Sequence, residues 1–266
     1  MIQRTKIGIT GFKGVLGREF ITKFKDKCEF YIFRGDITNY NQVSRWIKKL
    51  KKNNVKKIFH FAAKVKLKQK EDKKEFINVN KIGTDNLLKN ISLIYIDYPW
   101  IFIASTCQVY KSQNKPLSET DDLNPINDYS KSKFETEKIF KKFKSLNKKM
   151  CIGRIFSYTS ILQKDNFFIP SIYKKLKNEK KTVDVYGSNK IRDFLYATDI
   201  VDIISKLSVK EFFGIINIAS GSPVSIKQVA VYIKNKINSS SKLIFYNDNS
   251  ERFYFSNNKK LNDIIA

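Results

Sequence analysis

The chain has 266 residues, of which 42% are hydrophobic and 14% are aromatic, so it is long and apolar enough to fold around a core and is not a disordered chain. Its three cysteines and single histidine argue against a disulfide framework, a histidine-based zinc site and a serine-hydrolase triad, and we expect no metal. The formal net charge is +26, from 51 basic and 25 acidic residues, and such a positive field attracts anionic small molecules.

The lysines that carry most of this charge are spread along the whole chain, and no recognised nucleic-acid-binding motif accompanies them. We therefore attribute the charge to overall composition and expect no nucleic-acid partner, with an RNA-associated role kept as the alternative. The apolar run Trp100–Ala104 is far too short to span a bilayer, and residues 1–12 lack the layout of a signal peptide. These features lead us to expect a soluble cytoplasmic protein without a membrane partner.

Strands and helices are predicted to alternate along the first part of the chain. The predicted strands are Lys6–Thr10, Glu29–Phe33, Lys57–Ala62, Trp100–Ser105 and Cys151–Phe156. The predicted helices are Val15–Lys25, Gln42–Leu50, Glu75–Asn90 and Tyr129–Phe143. The third strand is apolar without alternation, as strands of a parallel sheet are when helices cover both faces. This order predicts an α/β fold with a Rossmann-type, doubly wound parallel sheet.

The pattern loosens after about Phe156, where shorter and less regular segments follow. We expect a smaller C-terminal substrate lobe there, while Asp199–Leu207 and Ile215–Ala219 return to the sheet. The predicted division assigns residues 1–156, with 195–220 returning, to the sheet domain, and residues 157–194 and 221–266 to the lobe.

A glycine-rich segment, TGFKGVLG, follows the first predicted strand and opens the first predicted helix. In a dinucleotide-binding turn of this pattern, Gly11 permits the tight turn, Gly14 lets the backbone approach a pyrophosphate, and Gly17 lets the helix pack closely on the strand. The N-terminus of the helix then receives the phosphate charge. We expect NAD or NADP to bind here, on Gly11, Phe12, Lys13, Gly14, Val15 and Gly17, with an ordinary glycine-rich turn as the alternative.

The choice between NAD and NADP depends on the end of the second predicted strand. An acidic residue at that point would suit the ribose of NAD, but Arg34 stands there. Lys13 and Arg34 together could hold the 2′-phosphate of NADP instead. The alternative is that both are ordinary solvated cations, so the cofactor preference stays open.

A second motif has the form YxxxK and begins the helix predicted from Tyr129. A spacing of four places Tyr129 and Lys133 on one helical face. An ammonium beside a phenol, together with an oxidised nicotinamide, lowers the phenol pKa from about 10 and so favours proton transfer at neutral pH. Ser105 and Thr106, at the carboxyl end of a buried strand, offer hydroxyls to the same substrate oxygen. These four residues are the predicted catalytic set.

Together these motifs resemble the extended short-chain dehydrogenase/reductase family, which includes nucleotide-sugar epimerases, dehydratases and ketoreductases. The resemblance covers nearly the whole chain. It is carried by the glycine-rich turn and by the segments Gly35–Ile37, His60–Ala63, NKIGT at 80–84, STCQVY at 105–110, PINDYSKSK at 125–133 and IRDFLY at 191–196.

The resemblance implies roles for further residues. The cofactor contacts that it implies are Asp36 near the adenine, Ile37, Phe61, Ala62, Ala63, Asn80, Tyr129 and Lys133. The substrate contacts that it implies are Thr106, Cys107, Gln108, Asn166, Arg192 at the diphosphate, and Arg252. It also implies a nucleotide-sugar substrate and a homodimer, while His60 is expected to be a structural turn residue.

Departures from the family pattern narrow the reaction. The 4,6-dehydratases of the family carry Asp-Glu after the catalytic Thr, and this chain has Cys107 and Gln108 at those two positions. Neither residue replaces a carboxylic acid in water elimination. The reductase-epimerases that make GDP-fucose use a Cys and a His, but Gln108 stands at that Cys position and no histidine follows His60. We therefore expect an NAD(P)-dependent 4-ketoreductase of a nucleotide-diphosphate sugar. The alternatives are a nucleotide-sugar 4-epimerase and a catalytically silent nucleotide- or RNA-binding member.

Overall fold

The computed structural model describes residues 4–65, 74–178, 180–248 and 253–266. Its strands are β1 (Thr5–Thr10), β2 (Cys28–Ile32), β3 (Lys57–His60), β4 (Trp100–Thr106), β5 (Met150–Ile155), β6 (Ser157–Thr159), β7 (Thr182–Tyr186), β8 (Ile191–Tyr196), β9 (Gly214–Ile218), β10 (Pro223–Ser225), β11 (Lys242–Tyr246) and β12 (Phe253–Tyr254). Its α-helices are α1 (Val15–Phe24), α2 (Tyr40–Lys52), α3 (Lys74–Ile77), α4 (Gly83–Ile94), α5 (Asp128–Ile139), α6 (Phe168–Lys177), α7 (Ala197–Val209), α8 (Ile226–Lys236) and α9 (Lys259–Ile265).

Within the described residues, six strands form one parallel sheet in the order β2-β1-β3-β4-β5-β9. The inner strands are mostly buried and rich in apolar residues because helices cover both faces of the sheet. In β4, which reads WIFIAST, every residue is buried. One face packs against α1, α7 and α9 around Phe20, Phe59 and Ile204. The other face packs against α2 and α4 around Ile47 and Leu88.

The direction of winding reverses between β1 and β3. From β1 the chain passes through α1 to the edge strand β2, and it then returns through α2 to β3 on the other side of β1. Ligands of doubly wound sheets bind in the crevice that such a reversal opens at the carboxyl ends of the strands. The glycine-rich turn after β1 and the segment 61–63 after β3 both lie at this crevice.

The later part of the chain adds smaller sheets at the same end of the molecule. In one of them β8 pairs with β6, β10 and β12, and β7 pairs with β11 in a two-stranded parallel sheet. Helices α6 and α8 pack beside them around Leu176 and Ala230. The segment that contains Arg192 is thus the central strand of its sheet.

The predicted fold class is confirmed, and the predicted strands and helices of the first 156 residues are present with boundaries shifted by a few residues. The exception is the helix predicted over Glu75–Asn90, which is divided into α3, a π-helical turn at Asn78–Ile82, and α4. A π-helical turn inserts one extra residue, and such turns are frequent at functional sites. Among the described residues, no helix has the length and apolar character needed to cross a bilayer.

Candidate active site

Two glycines of the glycine-rich turn have no room for a side chain. Gly11 has a φ of +74°, and a Cβ on it would lie 2.4 Å from the backbone nitrogen of Ala62. A Cβ on Gly17 would lie 2.4 Å from the carbonyl oxygen of Gly11. Gly11 therefore brings the end of β1 against the end of β3, and Gly17 brings α1 against the turn.

Gly14 has a different environment because it faces open space. Among the described residues, a Cβ on Gly14 would meet just the carbonyl oxygen of Gly11, at 3.3 Å. Gly14 is also the N-cap of α1, whose first turn has neither a side-chain cap nor an acidic residue within the described chain. Backbone N–H groups and the positive end of the helix dipole therefore face this space, which suits a phosphate.

A cavity of about 450 Å³ runs from this turn to the carboxyl ends of β4 and β5. Gly14, Val15 and Gly17 line one end of the cavity. Further along, its wall includes Thr106, Tyr129, Lys133 and Arg192. The cavity thus joins the predicted cofactor turn to the predicted catalytic and substrate residues.

Two cations flank the ring of Phe12, next to the turn. The guanidinium carbon of Arg34 lies 4.9 Å from the centre of the ring, and the Nζ atom of Lys13 lies 5.7 Å from it. Both cations are exposed. The structure therefore brings together the two residues that the sequence offers for a 2′-phosphate.

The segment after β2 forms the turn into α2. Oδ1 of Asp36, which is exposed, accepts hydrogen bonds from the backbone N–H of Thr38 at 2.9 Å and from its hydroxyl at 2.8 Å. Ile37 is buried, and its side chain packs against Gly83 at the start of α4. The structure places the Ile37 side chain in the core, and its predicted cofactor contact stays a prediction.

His60 lies at the end of β3 and is 2% exposed. The hydroxyl of Thr84 donates to the carbonyl oxygen of Asn80 at 2.7 Å, so it accepts from Nε2 of His60 at 2.9 Å. Nδ1 then accepts from the hydroxyl of Thr10 at 2.7 Å. Burial and the nearby charge of Lys133 lower the pKa of His60 to about 3. The ring is therefore neutral at ordinary pH and supports the turn instead of exchanging protons.

The loop after β3 is held in place by Asn80, from the π-helical turn. Oδ1 of Asn80 accepts from the backbone N–H of Lys64 at 2.7 Å, and Nδ2 donates to the carbonyl oxygen of Lys64 at 3.0 Å and to the hydroxyl of Ser132 at 2.8 Å. These bonds give Asn80 a positioning role in the loop, and its predicted cofactor contact stays a prediction. Phe61 and Ala63 in the same loop line the cavity, whereas the backbone N–H of Ala62 donates to the hydroxyl of Thr10.

Helix α5 brings Tyr129 and Lys133 to the carboxyl end of β4. The helix begins at Asp128 because Asn127 and Ser130 form a capping box, in which the Asn127 side chain accepts from the Ser130 N–H at 2.8 Å. Tyr129 and Thr106 both line the cavity, and the Thr106 hydroxyl lies near enough to the phenol to affect its pKa. Nζ of Lys133, which is 4% exposed, donates to the carbonyl oxygen of Ala104 at 2.6 Å.

Burial has opposite effects on these two ionisable groups. It raises the pKa of Tyr129 well above its ordinary value, and the nearby Thr106 hydroxyl offsets this in part. It lowers the pKa of Lys133 to about 8, against the attraction of Glu137. The lowering of the phenol pKa that the sequence predicts requires an oxidised nicotinamide beside Lys133, and it stays a prediction. Tyr129 is a protonated phenol at neutral pH.

Ser105 is turned away from Tyr129. Its hydroxyl donates to Oε1 of Glu137 at 2.5 Å, and Glu137 is also held by the guanidinium of Arg154, whose Nη2 lies 2.7 Å from Oε2. Neighbouring residues of a strand point to opposite sides, and the Ser105 hydroxyl is directed at this buried ion pair although Ser105, like Thr106, lines the cavity. The predicted supporting role of Ser105 at the substrate oxygen stays a prediction.

Arg192 lines both the main cavity and an adjoining one of about 240 Å³. Its guanidinium carbon lies 5.2 Å from the centre of the Tyr254 ring, and Nη1 donates to the carbonyl oxygen of Ile191 at 2.8 Å. The neighbouring Asp193 is fully buried and accepts from four donors, on Ser220, Gly221 and Ser256. The strand that carries Arg192 is therefore firmly anchored, a role of Asp193 that we did not predict.

Of the predicted substrate residues that the structure describes, Asn166 is not among those lining the cavity. Asn166 is exposed, and the wall at that point is formed by Phe167, Phe168 and Ile169. The chain turns there into α6, which directs the apolar residues inward. Arg252 lies outside the described residues. Conversely, Tyr158, Tyr186 and Lys190 line the cavity without having been predicted, since no local spacing in the sequence distinguishes them.

The sequence profile of one family, described as GDP-mannose 4,6-dehydratase, matches residues 16–260. The chain belongs to this family. It is 31% identical to GDP-6-deoxy-D-talose 4-dehydrogenase of Aggregatibacter actinomycetemcomitans, over 84% of this chain and 77% of that protein. It is 27% identical to dTDP-4-dehydro-6-deoxyglucose reductase of Escherichia coli, over 86% of this chain and 81% of that protein.

Solved structures of low sequence identity share the fold. RMD from Pseudomonas aeruginosa, complexed with NADPH, has a TM-score of 0.86 at 18% identity and covers 98% of this chain and 92% of its own. UDP-glucose 4-epimerase of Thermus thermophilus, complexed with NAD, has a TM-score of 0.82 at 16% identity and covers 97% of this chain and 92% of its own. At such identities the likeness concerns the fold.

Although the chain belongs to the GDP-mannose 4,6-dehydratase family, the residues next to Thr106 differ from those that a dehydratase requires. Cys107 is buried, which raises its pKa to about 12, so the thiol stays neutral. Oε1 of Gln108 accepts from Nδ2 of Asn127 at 2.9 Å. None of the described residues that line the main cavity carries a carboxylate. The side chains next to Thr106 therefore offer no acid or base for eliminating water.

Proposed function

We propose that this chain is an NAD(P)-dependent 4-ketoreductase that acts on a nucleotide-diphosphate sugar. The observation that carries the proposal is the arrangement at the carboxyl end of β4, where Thr106, a protonated Tyr129 and Lys133 line one cavity. The neutral pair Cys107 and Gln108 next to it supports reduction over dehydration. Relatives named as a 4-dehydrogenase and as a 4-dehydro reductase point in the same direction.

The crevice fits a dinucleotide cofactor. The open space at Gly14, in front of the uncapped N-terminus of α1, would take the pyrophosphate, and the cavity continues from there to Lys133 and Tyr129. When bound, NADH or NADPH supplies a hydride to a carbonyl carbon of the substrate. Lys133 would hold the ribose next to the nicotinamide, and Arg34 with Lys13 would hold a 2′-phosphate if the cofactor is NADP.

The residues around the carbonyl oxygen supply the proton. As the carbonyl at C4 accepts a hydride, its oxygen gains negative charge, and the phenol of Tyr129 donates a proton to it. The hydroxyl of Thr106 would donate a hydrogen bond to the same oxygen and so fix its position. The phenolate left on Tyr129 is stabilised by the ammonium of Lys133 and regains its proton from solvent. A phenol that burial keeps protonated is suited to this direction.

We propose further that residues 1–156 and 195–220 bind the cofactor, and that residues 157–194 and 221–266 bind the nucleotide sugar. Arg192 on β8 would bind the diphosphate, because a guanidinium can form paired hydrogen bonds with phosphate oxygens. The predicted homodimer also stays a proposal, which light scattering of the purified protein tests directly.

The deciding experiment is a reduction assay with purified protein, NADPH or NADH, and GDP- or dTDP-linked 4-keto-6-deoxy sugars, followed at 340 nm and by mass spectrometry of the product. We expect oxidation of the cofactor in step with formation of a 4-hydroxy sugar. Interconversion of C4 epimers without net use of the cofactor would instead identify a 4-epimerase. If no nucleotide sugar reacts and no cofactor binds, while RNA is retarded in a gel at low salt, the catalytic proposal is wrong.

A further inference from the structure

Helix α5 carries a third residue in line with the catalytic pair. Tyr129, Lys133 and Glu137 follow one another at intervals of four, which places them on one face of the helix. Glu137 is 8% exposed and is directed at the sheet. A carboxylate so deeply buried requires charged or hydrogen-bonding partners, and its partners are therefore informative.

The partners of Glu137 come from the two strands beneath the helix. The hydroxyl of Ser105, on β4, donates to Oε1 at 2.5 Å. The guanidinium of Arg154, on β5 and 2% exposed, donates from Nε to Oε1 at 3.1 Å and from Nη2 to Oε2 at 2.7 Å. Arg154 is itself held by the carbonyl oxygen of Glu119 at 3.2 Å and by the ring of Tyr110. The carboxylate is thus fixed in place one helical turn beyond Lys133.

The surroundings of Lys133 contain little else that stabilises a charge. On its own helix it has Tyr129 and Glu137. It donates a hydrogen bond to the carbonyl oxygen of Ala104 on β4, and the neutral ring of His60 on β3 lies near it. Arg154 on β5 lies behind Glu137. Among these described groups, Glu137 is the one anion that attracts the ammonium.

We propose that Glu137 is a positioning residue of the reductase site: anchored by Arg154 and Ser105, it keeps Lys133 charged although Lys133 is buried. The inference rests on the proposed function for its consequence in catalysis, but not for the ionisation of Lys133 itself. The arrangement has a physical logic. A free carboxylate next to Lys133 could form a direct ion pair and draw the ammonium away from the cofactor side, whereas a carboxylate already held by an arginine acts through its charge and stays in place.

The test compares Glu137→Gln with Glu135→Gln. Both changes remove one negative charge from α5, but Glu135 lies on the outer side of the helix, where it pairs with Lys138 and Lys81. Glu137→Gln is expected to lower the pH at which Lys133 loses its proton by about one unit, the lower end of the range for a close opposite charge. Glu135→Gln is expected to leave it within a few tenths of a unit.

The first readout needs neither substrate nor cofactor. Protein labelled with ¹³C at the lysine Cε positions is titrated by NMR, and the Lys133 resonance is assigned by its loss in Lys133→Met. The wild-type midpoint is expected near pH 8, and that of Glu137→Gln near pH 7. Equal midpoints in Glu137→Gln and Glu135→Gln would overturn the inference.

The second readout is kcat/KM for ketone reduction at two pH values. Because Lys133 is almost fully charged in both proteins at pH 6, Glu137→Gln should be close to the wild type there. At pH 8 it should be lower by about fivefold, which follows from the expected shift of one unit. An equal loss at both pH values would mean that Glu137 supports only the structure. Absence of turnover in the wild type would contradict the proposed function and leave the NMR result unaffected.

A variant that avoids an unpaired buried charge guards against loss of folding. Glu137→Gln combined with Arg154→Met replaces the ion pair by neutral side chains of similar size, a change that proteins often tolerate. The Lys133 midpoint should again fall, but by less than in Glu137→Gln, because the Arg154 cation is removed together with the anion. A midpoint unchanged from the wild type in this folded double variant would overturn the inference as well.

Discussion

Tyr129 and Thr106 line the same cavity, although the two residues lie on different elements and 23 positions apart. Thr106 ends the central strand β4, and Tyr129 lies in the first turn of α5. The proton donor of the proposed reaction is therefore placed beside a fully buried strand of the sheet, which suits a group that must be held in a fixed geometry.

The proton-donor role of Tyr129 is tested by Tyr129→Phe. This change removes the transferable proton and leaves the ring, so NADPH should bind with nearly unchanged affinity. Turnover should fall by roughly 10²–10⁴-fold, as is typical when a general acid is lost. Fluorescence titration with NADPH and the reduction assay measure the two effects separately. A rate within a few-fold of the wild type would remove Tyr129 from the mechanism.

The glycine-rich turn offers a matched pair of variants. Gly14→Ala should fold with a change in stability of about 1 kcal/mol or less, because its Cβ would have one tight contact among the described residues, the Gly11 carbonyl oxygen at 3.3 Å. It should nevertheless weaken NADPH binding by about tenfold or more, since the methyl group occupies the space assigned to the pyrophosphate. Gly17→Ala should instead destabilise the fold, because its Cβ would lie 2.4 Å from the Gly11 carbonyl oxygen. Urea unfolding and fluorescence titration separate the two outcomes, and Gly14→Ala with unchanged affinity would contradict the assigned site.

The sequence predicts the placement of some residues of the site but not that of their neighbours. The glycine-rich turn and the YxxxK motif depend on spacing within one element, and the structure brings both to one cavity. The difference between Ser105 and Thr106 depends on which way β4 faces, and this is decided by the strands and helices packed against it. The NKIGT motif singles out Asn80, but the motif does not predict its hydrogen bonds to Lys64 and Ser132, because these join segments that are distant in sequence. Spacing alone could have pointed to Glu137, four residues after Lys133.

The stability of the protein should depend on pH through His60. Its pKa is about 3 in the folded state and about 6.5 in the unfolded state, so the unfolded chain binds a proton between these values and the folded one does not. The contribution of His60 to the unfolding free energy is therefore fully present above pH 6.5 and is lost as the pH falls towards 3, by about 1.4 kcal/mol per unit.

His60→Gln removes this titration while leaving a side chain that can bond to Thr10 and Thr84. It should be less stable than the wild type at pH 7, and the difference should shrink as the pH falls from 6.5 to 5. Urea unfolding at several pH values measures the difference, in which the titration of carboxylates common to both proteins cancels. A difference that does not change with pH would show that His60 is protonated in the folded state.

Cofactor preference is tested by reversing the charge of Arg34. If Arg34 holds a 2′-phosphate, Arg34→Asp should weaken NADPH far more than NADH, by about 1.5–3 kcal/mol for the lost charge-assisted contact. Arg45→Asp, which makes the same charge change at an exposed position of α2, should affect both cofactors slightly and equally. If Arg34→Asp also affects both equally, Arg34 is a solvated cation and NAD becomes the favoured cofactor.

The nucleotide-sugar assignment depends most directly on Arg192, which lines both cavities and is stacked on Tyr254. Arg192→Lys keeps the positive charge but loses the guanidinium group, which can donate hydrogen bonds to two phosphate oxygens at once. Affinity for GDP and dTDP should therefore fall by roughly tenfold or more, which corresponds to about 1.4 kcal/mol, while NADPH binding is unchanged. Titration calorimetry with the nucleotides and with NADPH measures both in the same preparation. If the nucleotide diphosphates bind the variant as well as the wild type, Arg192 only supports β8. The substrate would then have to be sought outside the nucleotide sugars, because no other described residue has been assigned to the diphosphate.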